Sequence, residues 1–175
     1  LFRGTLTLAE HSRDSLLTSL HNHPSWGWAI LPLIGLILGS LTGWAVLRWS
    51  PESSGSGIPH VKGVLLNVRK MRWATLVPVK FLGGVAVIGS GLSLGREGPT
   101  VQMGAAVGAC IGRILKVRQR SMPQLIAAGS GAGLAAAFNA PLAGFIFVLE
   151  ELQRELSPLT YGGALVAAVC ADIVT

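Results

Sequence analysis

Between Gln124 and Leu149 the chain runs for 26 residues without a charge, and 13 of the 19 residues from Ile126 to Gly144 are Gly, Ala or Ser. Side chains this small cannot fill the core of a soluble domain. They suit helices that approach backbone to backbone in lipid. The composition agrees: 13% of the 175 residues are charged, against about 25% in soluble domains. Half are hydrophobic and 23 are Gly, with no Gly-X-Y period. Disorder, coiled coil and collagen are thereby excluded, and an all-α integral membrane protein is expected.

The net charge is +6. The bases lie in short gaps between apolar runs, as in loops that set membrane orientation. No aromatic-plus-basic platform accompanies them, so nucleic acid is not an expected partner. Cys110 and Cys170 stand in apolar segments without CxxC spacing, which gives neither a disulfide framework nor a metal site. The Leu-Phe-Arg start lacks a signal-peptide pattern and reads as a chain that began earlier.

Leu16, Leu17 and Leu20 have helical spacing in a mixed N-terminal segment. His21 and His23 form an HxH without a carboxylate or Cys beside it, which is better read as a loop than as a metal site. Trp26 to Trp49 is a 24-residue run with one charge, Arg48, and tryptophans toward both ends. It is long enough to cross a bilayer. Gly35, Gly39 and Gly43 give it a small face for helix packing. Residues 50–72 form a polar gap with Lys62, Arg69, Lys70 and Arg72, and no acid follows Glu52 until Glu97. The 60–72 part is expected on the cytoplasmic side. Trp73 to Gly95 is apolar except for Lys80, and Pro99 to Gly112 is a 14-residue run too short to span alone. Gly104, Gly108 and Gly112 repeat every four residues, followed by a second basic loop, Arg113 to Arg120. Asn139 and Pro141 interrupt the uncharged run, which ends at Glu150 and Glu151. A last apolar segment covers Pro158 to Ala171.

Interrupted membrane helices persist only where their backbone is buried in protein or lines a cavity, and they point to transport sites. Two interruptions share a design, Gly55-Ser56-Gly57-Ile58-Pro59 and Gly95-Arg96-Glu97-Gly98-Pro99. Each ends in a Pro suited to a first helical turn. Each would present free N–H groups and a positive dipole end, which suits an anion, and Ser56 adds a hydroxyl. Glu97 is an acid within an apolar stretch, functional by default, with a local pair to Arg96 as the plainer alternative. Lys80 is either a buried cation that attracts anions or a snorkelling side chain. Glu150 and Glu151 close a helix, where solvated carboxylates are common. Gly129-Ser130-Gly131-Ala132-Gly133 lacks the strand and spacing of a dinucleotide fingerprint, so Gly129 and Gly133 read as a helix-packing pair.

Those two motifs, with Thr100-Val101-Gln102 after the second, and Ala135-Ala136-Ala137-Phe138-Asn139-Ala140-Pro141-Leu142-Ala143-Gly144 followed by Glu150-Glu151, closely resemble the CLC family of chloride channels and chloride/proton antiporters. The resemblance runs from about Trp26 to Thr175. It implies that Ser56 coordinates the central chloride with its hydroxyl, and that Gly57 and Ile58 offer backbone N–H groups. Arg96, Glu97 and Gly98 match the stretch facing the outer anion site. Glu97 matches the gating glutamate, whose carboxylate occupies an anion site and leaves when protonated. Glu151 matches the inner glutamate that feeds protons in the antiporter branch, whereas channel members usually lack a carboxylate there. Serine at position 56 is the chloride form; a nitrate-preferring variant has Pro, and the fluoride-exporting branch departs at these motifs.

The family's membrane domain is two inverted halves, and residues 1–175 resemble the first. The second half would supply another anion-facing helix N-terminus and a tyrosine hydroxyl. The expected fold is therefore one half of an inverted repeat of broken and half-spanning helices. The expected function is chloride transport, in exchange for protons. The alternatives are a passive voltage-gated chloride channel and a non-conducting fragment or assembly half-protein. No enzyme activity, cofactor or metal is expected. The resemblance also implies a homodimer, with helices around 141–151 and 158–171 at its face, in a bacterial inner membrane.

Overall fold

A computed structural model describes residues 1–21, 27–152 and 158–174. Among them there are eight α-helices and no strand. They are α1 (Phe2–His21), α2 (Gly27–Trp49), α3 (Ile58–Leu65), α4 (Trp73–Gly89), α5 (Glu97–Ile114), α6 (Met122–Phe138), α7 (Pro141–Phe147) and α8 (Pro158–Val174). A π-helical turn, Val148–Leu152, continues α7. By length and composition Ala29–Trp49 is the one helix among the described residues able to cross a membrane. Of the others, α1 is 20 residues long but polar, and the interruptions read in the sequence shorten α3, α4 and α7. Those interruptions are what turn helix ends inward.

The centre of the bundle is α6, which packs along α5 and also against α7 and α8. The glycine periods explain the closeness. A Cβ on Gly104 would collide with the carbonyl oxygen of Gly129, and one on Gly129 with that of Gly104. Gly108 stands likewise against Leu125 O, and Gly133 against Thr100 O. A second small face of α6 meets α7, where Gly144 lies against Gly131 O. Val61, Leu76, Ala105, Ala109, Ile126, Ala127 and Val148 form the core around this contact. The break at Asn139 also has its expected geometry. Asn139 caps α6 in the left-handed region, φ 56 and ψ 42, and Pro141 opens α7.

Three expectations change. The run expected to begin at Pro99 is part of an 18-residue helix, because Glu97 and Gly98 form its first turn and Arg113 and Ile114 extend its end. At about 27 Å it is longer than the 14-residue reading allowed. The segment Trp73 to Gly95 is helical only to Gly89, and Gly91 turns the chain at φ +94. Among the described residues, the face of Gly35, Gly39 and Gly43 has no helix backbone against it. Gly35 and Gly39 lie near Leu92, and Gly43 has nothing within 4 Å.

Candidate anion-binding site

The Ser56 turn is built by local backbone needs. Pro51–Ser53 form a single 3-10 turn, after which Gly55 and Gly57 take φ +65 and +91. Gly57 is the N-cap of α3, and Pro59 is in its first turn. The first N–H groups of α3 have no acceptor within the helix. Ser56 is exposed and Gly57 buried.

Arg96 caps α5, and Glu97 is its first residue. Arg96 is exposed, Glu97 half-buried and Gly98 buried. Among the described residues no ion pair joins Glu97 to Arg96. The Glu97 carboxylate folds back over Gly95, where a Cβ would collide with its Oε2. The two motifs, forty residues apart in sequence, touch. A Cβ on Gly98 would collide with the Ser56 carbonyl oxygen and lie 2.8 Å from Ser56 Oγ. The N-termini of α3 and α5 therefore meet. Ser56, Glu97 and Gly98 line a cavity of about 640 Å³, bounded also by Lys80 and by Gly83 and Gly84 of α4.

Lys80 is buried beside the cavity, as the first of its two sequence readings expected, and does not snorkel. It is 7% exposed, and its Nζ donates to Ser53 O at 2.8 Å and Gly55 O at 2.6 Å. It clamps the turn before Ser56 while keeping its charge beside the cavity. Since C=O and N–H of one trans peptide point opposite ways, holding Gly55 O turns the Ser56 N–H away from the lysine.

Two further residues carry the turn that sequence analysis gave no part in the site. Gln102 of α5 is wholly buried and donates from Nε2 to Glu52 O at 2.8 Å. His60 of α3, 6% exposed, lies 3.3 Å from the same nitrogen. The available signal was an amide in a helix of small apolar residues, which membrane burial makes costly unless it is used.

Glu151 does not line the cavity. It sits in the π-helical turn after α7, about half exposed, and accepts a hydrogen bond from Lys62 Nζ at 2.6 Å. Lys62 lies in the last turn of α3. So α3 leads from the cavity at its N-terminus toward the Lys62–Glu151 pair, over a helix about 12 Å long. His23 of the HxH lies outside the described residues.

Gly57, Ile58 and Arg96 adjoin the cavity in sequence but are outside its lining. Fold and site together define an all-helical membrane bundle whose interrupted helices bring the Ser56 turn before α3 and the N-terminus of α5 to one cavity. The chain belongs to the voltage gated chloride channel family, which it matches over residues 22–175. It is 46% identical over 99% of its length to the H(+)/Cl(-) exchange transporter ClcA of Vibrio vulnificus (strain YJ016), and covers 38% of that protein. Against ClcA of Salmonella paratyphi A the identity is 38%, over 88% of this chain and 33% of the relative. The fold superposes on a slow cyanobacterial Cl-/H+ antiporter with TM-score 0.92 and 37% identity, covering 99% of this chain and 41% of that one. The chain thus spans about two fifths of the length of these relatives.

Proposed function

We propose that the full-length protein moves chloride across a membrane in exchange for protons, and that residues 1–175 are the first half of its membrane domain. The observation that carries this reading is the contact of the Ser56 turn with the N-terminus of α5 around one cavity. Chloride is held there without covalent chemistry. Free N–H groups of Gly57, Ile58 and Gly98, the Ser56 hydroxyl and two positive dipole ends replace part of its water. Arg96 adds positive charge at the outer end. The rest of the full-length chain closes the cavity from the other side.

Glu97 stands at the anion's entrance as a competitor with the same charge. Ionised, it is drawn to the α5 N-terminus; protonated, it loses that attraction and yields to chloride. A differential of about 1.4 kcal/mol shifts such an equilibrium tenfold. Glu151 is the inner proton acceptor. Its partner Lys62 belongs to the basic 60–72 segment, and that basicity supports a cytoplasmic position for Glu151. The working form is a homodimer in a bacterial inner membrane. The names of the relatives support exchange.

The test is reconstitution of the full-length protein in liposomes with a chloride gradient. Chloride movement should drive protons uphill against a pH gradient. Chloride flux without proton movement would assign a passive channel, and no flux of either would refute transport.

A further inference from the structure

Gln102 and Gly98 are four residues apart on α5, so they lie on one face, one turn apart. Both meet the Ser56-Gly57 turn. Gly98 takes the Ser56 carbonyl where a side chain would clash. Gln102 fills the space under Gly57, where a Cβ would stand 2.5 Å from Gln102 Oε1 and 2.6 Å from its Cδ. A two-point contact fixes both the separation and the tilt of the two helix N-termini.

The amide of Gln102 can sit only one way. Glu52 O is purely an acceptor, so the atom 2.8 Å from it must be Nε2. The second hydrogen of Nε2 then points to His60 Nδ1 at 3.3 Å. That makes Nδ1 an acceptor and leaves His60 Nε2–H to donate to Lys70 O at 3.3 Å. Glu52 is held in turn by Arg72 Nε at 3.0 Å on Oε1. Among the described residues, Gln102 Oε1 is buried without a partner. An apolar side chain would fill this space and leave no oxygen unpaired, so what the amide adds is its two donated bonds.

We propose that Gln102, held in register by His60, is a positioning residue that sets the gap between the anion-facing N-termini of α3 and α5. It touches neither anion nor proton. Through Glu52 O and the floor of Gly57 it holds the Ser56 turn at the height where both helix ends address one ion. The inference rests on the proposed chloride function of this cavity.

The experiment uses the full-length protein and measures chloride binding by titration calorimetry and chloride flux in liposomes. Gln102→Met keeps the volume without the hydrogen bonds, and His60→Leu removes the acceptor. Each should raise the half-saturating chloride concentration about tenfold with maximal flux within about twofold, the scale of one or two lost hydrogen bonds. His60→Asn offers an amide oxygen near the place of Nδ1 and should stay within about twofold of wild type. If Gln102→Met does not fold, the His60 pair decides alone. Half-saturation unchanged in His60→Leu, or His60→Asn as damaging as His60→Leu, would overturn the inference, since the hydrogen bond would then carry nothing. A wild type that neither binds nor moves chloride would overturn the proposed function and this inference with it. A chloride-moving wild type with unshifted variants would overturn this inference alone.

Discussion

Gly57→Ala adds one methyl group, and the structure gives two separable reasons why it should be costly. At φ +91 an L-residue is strained by about 1–3 kcal/mol. The new Cβ would also stand 2.5, 2.6 and 2.7 Å from Oε1, Cδ and Cβ of Gln102. Overlap of this kind costs about 1–3 kcal/mol, and Gln102 cannot swing aside without losing its bond to Glu52 O. The single change should therefore destabilise by about 2–6 kcal/mol. Gln102→Ala alone removes that bond and leaves a cavity, for about 2–4 kcal/mol. In the double variant the overlaps with Oε1 and Cδ are gone, while the 2.7 Å contact with the retained Cβ of position 102 and the backbone strain of Gly57→Ala remain. It should be less destabilised than the sum of the singles by about 1–3 kcal/mol. The assay is reversible denaturation of the full-length protein in detergent, followed by tryptophan fluorescence. Additivity within about 0.5 kcal/mol would refute the placement of Gln102 beneath Gly57.

Three other outcomes follow from the same geometry. Lys80→Met frees Ser53 O and Gly55 O and removes a cation beside the cavity, so chloride should bind about tenfold more weakly in calorimetry. Gly129→Leu forces a side chain into the Gly104 carbonyl, and the expressed protein should lose its monodisperse peak in size-exclusion chromatography, where an exposed control such as Leu33→Ala does not. Glu151→Gln should abolish proton movement in liposomes while chloride flux remains within about threefold, because the cavity contacts are untouched.

Much of this was legible in the sequence because membrane helices advertise their breaks. Gly and Pro at 55–59 and 95–99 marked both helix starts, and Asn139 with Pro141 marked the stop and restart. The glycine periods were half legible. Gly104 and Gly108 meet a helix backbone, while the same spacing at Gly35, Gly39 and Gly43 does not, because period fixes a face but not what lies opposite. Lys80 was caught between two one-body readings. Burial settles the first of these, and its added role as a clamp on carbonyls 25 and 27 residues away is a tertiary contact that no local pattern encodes. Gln102 and His60 lay in or beside recognised motifs, yet their pairing spans 42 residues. The Lys62–Glu151 pair spans 89.

Under the proposed function, Glu97 at the start of α5 both competes with the anion and carries the proton. The measurement is paired chloride and proton flux for full-length Glu97→Gln in liposomes, between about pH 4 and about pH 7.5, a span that opens near the free carboxylate value. Chloride flux should persist, lose its dependence on pH and carry no protons. Coupled, pH-dependent exchange in Glu97→Gln would reduce Glu97 to a structural residue.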